Sequence, residues 1–371
     1  MEDNYKKHLY NVDFLRFVFA LFIVYYHITP IMSGFFGGEL WLDNLSARNS
    51  NVGQVIVISF FVISGFFFFL TEEYRRFSLS AYIKRKVIRI WPVLAFSLIV
   101  NFHSTADILN LFFISSGTGL ISMGSSNPAS WFVCVMFWLE LLMFVFLTKS
   151  NFNSKYNTVE GVITDYEVSR EIRWGGGWAT LIGFILLGQR TGNTLYSAKA
   201  FEQIPFLTNG VLMGITGFGY GGLIAQFWLR KPLIRKTISR SSEIFITILE
   251  LVILSYFVNI LINCTQKYER IYYILIFTII IIDFIYQWGY IAQLLNNKVF
   301  GHLGKWSYSI YMMQFPCFAY LKKRLWGKNF AGDRKAILVS SVLICIGVGI
   351  ATYYLVEKPL SKWLKKKMEV S

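Results

Sequence analysis

Two residues able to do chemistry stand inside the first long apolar stretch, NVDFLRFVFALFIVYYHITP: Arg16 and His27. In a helix, eleven residues return to within about 20° of the start, roughly 16 Å along the axis, so the two share a face. A charged side chain within a membrane span costs on the order of 2.5 to 3.5 kcal/mol on insertion scales, and such residues usually face a bundle interior or a wet cavity. Asp13 stands three residues before Arg16 and can pair with it, which lowers that cost. A neutral imidazole in apolar surroundings is a competent general base for a hydroxyl. An Arg fork binds oxyanions bidentately. The plain alternatives are a snorkelling topology anchor for Arg16 and an interfacial imidazole for His27.

Other polar groups punctuate the apolar runs. Ser64 and Gly65 lie among aromatics in FFVISGFFFFL, where close helix packing explains them as well as function does. Lys84, Arg85, Lys86 and Arg89 make a dense basic patch. It fits either the positive-inside rule or the phosphates of a nucleotide-type cofactor such as coenzyme A. LGKWSYSIYMMQFPCF sets Ser307, Tyr308, Ser309, Tyr311 and Gln314 in an apolar helix ahead of Pro316, as interhelical contacts or as a polar substrate path. Glu357 and Pro359 mark the exit of the last span. GFGYGG from Gly217 reads as small-residue helix packing rather than a dinucleotide loop. There is no G-x-S-x-G elbow, no P-loop and no H-E-x-x-H. Cys134, Cys264, Cys317 and Cys345 lack metal or redox spacing and read as packing residues, so no metal is expected.

The elements that must position these groups are membrane helices. Of 371 residues, 55% are hydrophobic and 15% charged, against roughly 25% charged in an average soluble protein. The formal charge of +15 comes without a base-stacking module, which argues against nucleic acid as a partner. Apolar windows predict an all-α integral membrane bundle of about ten transmembrane helices, centred near residues 22, 61, 96, 139, 183, 214, 252, 280, 310 and 346. The first run carries Arg16 and lacks an A-x-A-like end, so it reads as a retained helix rather than a signal peptide. Lys6, Lys7, the Arg75 to Arg89 stretch, Arg230 to Arg240 and Lys358 to Lys367 fall on one side, which puts both termini in the cytoplasm. Lys322, Lys323 and Arg324 land outside against that rule. Residues 149–174 read as a polar loop, the segment from His103 to Ala129 as an external loop, and 358–371 as a basic cytoplasmic tail. Six of the seven prolines are expected near span ends, with Pro316 alone interrupting a span.

Taken together in chain order, these segments resemble the bacterial integral-membrane acyltransferases called acyltransferase family 3. Asp13 with Arg16, ten residues, then His27 resembles that family's first-helix signature, and FFVISGF its second-helix motif. The Lys84 to Arg89 stretch before Trp91-Pro92 resembles its third-helix start, and SWFVCVMF, with Trp131, its aromatic fourth span. FEQIPFLTNGVLMG, LGKWSYSIYMMQFP and YLVEKPLSKWLKK resemble its Phe-Gly segment, penultimate helix and closing Glu-x-Pro. The resemblance implies a single membrane acyltransferase domain over residues 1–371, without the separate extracellular hydrolase-like domain some members carry. It implies transfer of an acyl group, usually acetyl, from a cytoplasmic donor such as acetyl-coenzyme A to a sugar hydroxyl of a surface polysaccharide or glycolipid. Arg16 and His27 would be the essential pair, and Lys86 with Arg89 the basic motif. Gln314 stands where many members have His, and Lys86 where an Arg is common.

Donor phosphates would then dock on Lys84, Arg85, Lys86 and Arg89 with help from Arg16, while His27 takes the acceptor's proton or briefly carries the acyl group. Acyl-coenzyme A would be a donor substrate rather than a resident cofactor. The expected partners are a surface glycan or lipid-linked saccharide and membrane lipids, with a homodimer left open, in the bacterial cytoplasmic (inner) membrane. The rival reading is a polytopic transporter or flippase, but the Arg and His of the first span have no counterpart in the second half, as repeated transporter halves would require.

Overall fold

The computed structural model describes residues 8–36, 52–71, 73–122, 124–149, 177–186, 204–230, 240–263, 269–326 and 333–368. Among these residues every regular element is a helix. They are α1 Tyr10–Phe36, α2 Val52–Thr71, α3 Glu73–Arg76, α4 Leu79–Val100, α5 Thr105–Leu111, α6 Ser130–Lys149 and α7 Gly177–Leu186. They continue as α8 Asn209–Arg230, α9 Arg240–Asn263, α10 Glu269–Tyr286, α11 Tyr290–Leu295, α12 Lys298–Leu321, α13 Arg334–Thr352 and α14 Lys358–Lys367. Each of the ten expected span centres falls inside one of these helices. Among the described residues, five helical stretches are long and apolar enough to cross a membrane: Tyr10–Phe36, Gly53–Thr71, Ser130–Thr148, Arg240–Ile262 and Arg334–Lys367. The polar loop expected at 149–174 lies almost wholly outside the described residues, as do Cys264 and Phe201 to Gln203. Pro30 and Pro92 lie inside α1 and α4 rather than at span ends, because both helices run on past them.

The chain divides into two compact units, Met1–Ile56 with Leu233–Tyr353, and Val57–Pro232 with Tyr354–Ser371. In the first, α1 packs along α12, and glycines let the backbones close up. A side chain at Gly301 would collide with the Tyr10 ring, and one at Gly304 with the Asp13 backbone. Phe14 meets Phe300, His27 meets Phe315, and Phe35 and Phe36 meet Trp326, so residue numbers rise together and the two helices run parallel. By contrast α13 is antiparallel to α12, with Gly349 against Ile310 and Ser341 bonded to Trp326. Ala20, Val24, Ile28 and Met32 of α1 join Ile310, Phe318 and Leu321 of α12 and Leu338 of α13 in one apolar core. Asn297 caps α12 by accepting from the Val299 and Phe300 amides, which fixes where the helix carrying Phe315 begins.

In the second unit α2 crosses α8 through reciprocal glycines, Gly65 under the Phe218 backbone and Gly221 under that of Val62. This is the small-residue packing expected of GFGYGG. In its described residues, the segment expected as an external loop, from His103 to Ala129, is a cap built on Asp107. Its Oδ2 accepts from the amides of His103 and Ser104, and its Oδ1 from the amide and hydroxyl of Ser126 and the hydroxyl of Ser125. Burial pushes the Asp107 carboxyl up, but these hydrogen bonds outweigh it and hold it below its ordinary 3.8.

Candidate functional site

In the first unit α1 is unbroken from Arg16 to His27. The two therefore lie roughly 16 Å apart on one face of a single helix. At its start the Asp13 carboxylate sits between a histidine ring and a guanidinium, with His8 Nε2 at 2.6 Å and Arg16 Nη1 at 3.6 Å. Arg16 keeps 24% of its side chain exposed, so it is balanced without being shut away. His27 is half-buried, its ring 4.9 Å from that of Tyr26 and 5.0 Å from that of Phe315. Two aromatic rings, one edge-on and one tilted, flank the imidazole, and no hydrogen bond to a described residue occupies its nitrogens. Such a ring can take or give a proton.

Along α12, Ser307, Tyr311 and Gln314 fall on one stripe and are buried. The Ser307 hydroxyl donates to the Gly304 carbonyl and the Gln314 amide to that of Tyr311. Gln314 Oε1 is left buried without a hydrogen-bond partner. An unsatisfied acceptor of this kind costs about 1–3 kcal/mol, which makes Gln314 a residue to explain. Tyr308 is half-buried on the same helix.

The basic patch belongs to the second unit, on α4, whose start is set by the Ser78 hydroxyl accepting from the Ala81 amide. Its members do different work. Lys86 reaches Glu140 of α6 at 2.7 Å, and that carboxylate also accepts from the Tyr82 hydroxyl at 3.2 Å. Arg85 lies 4.3 Å over the Phe77 ring, Lys84 donates to the Met368 carbonyl, and Arg89 is exposed. Ser64 is half-buried on α2 next to the glycine contact with α8. Trp131 is wedged between Gly117 and Gly210, which gives it a packing role at the top of α6. Glu357 ends a π-type turn, Tyr353–Glu357, that joins α13 to α14.

The model of acyltransferase family 3, described as an acyltransferase domain, matches residues 9–356. The chain belongs to acyltransferase family 3. No curated protein and no solved structure matches it significantly. It is thus a membrane acyltransferase, and the match spans α1 with Arg16 and His27, the basic start of α4, and α12.

Three carboxylates of this family 3 acyltransferase were missed as site candidates in the sequence, although each interrupts an apolar run, the signal that exposed Arg16. Glu140 holds Lys86. Glu250 of α9 accepts from the Ile291 and Ala292 amides and so caps α11, whose own N-cap, Gly289, has no side chain to do it. Glu250 and Asp283 line a cavity of about 610 Å³ walled otherwise by Ile253, Leu254, Ile280 and Phe284 among its apolar residues. Among the described residues no group of His, Cys, Asp and Glu could hold a metal ion.

Proposed function

We propose that the chain is an O-acyltransferase, in the first instance an O-acetyltransferase, of the bacterial cytoplasmic membrane. It would move an acyl group from cytoplasmic acyl-coenzyme A to a sugar hydroxyl of a surface polysaccharide or glycolipid. The observation that carries this reading is His27: an imidazole inside a membrane helix, flanked by Tyr26 and Phe315 and unbonded to any described residue. Family membership favours acyl transfer over transport.

In the reaction, His27 takes the proton of the acceptor hydroxyl as its oxygen attacks the thioester carbonyl. The carbon–sulfur bond breaks, and the coenzyme A thiolate leaves and takes up a proton. The alternative route passes the acyl group through His27 itself. Lys84, Arg85 and Arg89 meet the donor's phosphates, and Arg16, steadied by Asp13, offers an oxyanion-binding fork on the helix that carries His27. Lys86, held by Glu140, orders α4 against α6. The buried polar stripe Ser307, Tyr311 and Gln314 borders the acceptor's path. A parallel α1 and α12 is what a first and a ninth span would give, which supports ten crossings with both termini cytoplasmic.

The test compares surface glycan from cells with the gene, without it, and with His27→Ala, by mass and by proton NMR of alkali-labile acyl groups. Loss of the acyl signal in the variant, at unchanged protein level and membrane insertion, is expected. An unaltered signal in His27→Ala, against loss in the deletion, removes His27 from catalysis.

A further inference from the structure

The basic patch on α4 does not stand alone in its unit, because α14 lies antiparallel along it. Ser361 Oγ donates to the Ile88 carbonyl at 2.9 Å, and Lys84 Nζ to the Met368 carbonyl at 3.4 Å. These contacts fix which face of α14 meets α4. On a 100° wheel, Lys358, Lys362, Lys365 and Lys366 then form one stripe about 100° wide beside that face. All four are exposed. In an antiparallel pair of right-handed helices, this stripe falls on the same flank as Arg85 and Arg89 of α4. Leu360 and Trp363 fall on the opposite flank of α14, 40% and 56% exposed. Lys367, in the last turn, falls between Leu360 and Trp363 on the wheel, while the four-lysine stripe keeps to the other flank. Lys86 points away from this flank, to Glu140 of α6.

We propose that Arg85 and Arg89 of α4 together with Lys358, Lys362, Lys365 and Lys366 of α14 form one docking surface for the phosphates of the acyl-coenzyme A donor. This rests on the acyl transfer reading above and adds the C-terminal helix to its donor site. A pyrophosphate and a ribose phosphate spread over several ångströms are matched by cations on two adjacent helices, and a single patch on α4 offers fewer.

The experiment measures binding of acetyl-coenzyme A and of its 3′-dephospho form to the full chain in phosphatidylcholine nanodiscs and in nanodiscs containing phosphatidylglycerol. The wild type should prefer the fully phosphorylated donor. Changing the four lysines to Gln should weaken its binding about tenfold or more in both bilayers and erase the preference, while changing them to Arg should preserve both. Unchanged affinity in the Gln variant overturns the docking surface and leaves the acyl transfer reading standing. Loss confined to the phosphatidylglycerol bilayer assigns the lysines to lipid and overturns it, as does equal loss in the Arg variant. A wild type that binds neither donor form defeats both readings.

Discussion

Lys86 and Glu140 provide the most demanding check on the structure, because sequence alone joins neither to the other. Their side chains are 17% and 9% exposed and their charged atoms are 2.7 Å apart. At an effective dielectric of 20, that separation corresponds to about 6 kcal/mol of raw attraction, much of it spent on desolvating the two ions. The useful quantity is therefore the coupling. Lys86→Met leaves a buried carboxylate with only the Tyr82 hydroxyl, and Glu140→Leu leaves a buried ammonium without its carboxylate. Each should cost about 3–5 kcal/mol. The double variant replaces two paired ions with two apolar side chains of similar size and should cost far less than the sum, with a coupling of roughly 2–3 kcal/mol or more. Unfolding of the purified protein in mixed micelles, followed by circular dichroism, measures all four corners of the cycle. Additivity within about 0.5 kcal/mol would refute the pairing.

Other outcomes follow from single contacts. Gly304→Leu should destabilise the first unit by about 1–3 kcal/mol and lower activity, since its Cβ would lie 2.6 Å from the Asp13 carbonyl oxygen. Gly347→Ala, with nothing within 4 Å, should do neither, and thermal unfolding of the two variants tells them apart. Asp107 has a depressed carboxyl, so its contribution is present above the ordinary 3.8 and is lost as pH falls through the lower native value. Asp107→Asn should destabilise the cap at pH 7 and flatten that acid loss, as read by hydrogen exchange of residues 103–127 against pH. Glu250→Leu should free the Ile291 and Ala292 amides and raise exchange in α11, at a cost of about 1–3 kcal/mol.

Much of this arrangement is legible from residue cost. Arg16 and His27 are visible because a polar group within a membrane span must be compensated or used, and the helical period then puts both on one face. The span centres follow from apolar length. What sequence leaves out is long-range pairing. That α1 lies beside α12, 286 residues away at the Tyr10 amide to Asn296 contact, depends on glycines whose purpose appears only when a partner helix is present. Lys84 to Arg89 reads as one patch because residues close in sequence look alike, yet successive helical positions point in different directions. Lys86 turns to Glu140 while Lys84 turns to the C-terminal helix. The tail from Lys358 reads as a basic amphipathic segment, and nothing in its composition shows that it lies along α4.

The central claim is that His27 performs acyl transfer. Purified full chain in nanodiscs, given radiolabelled acetyl-coenzyme A and glycan isolated from cells lacking the gene, should label the glycan in a single turnover. His27→Ala should bind the donor with unchanged affinity and transfer at least about a hundredfold more slowly, the lower end of what a general base contributes. Labelling by His27→Ala at the wild-type rate would contradict the account.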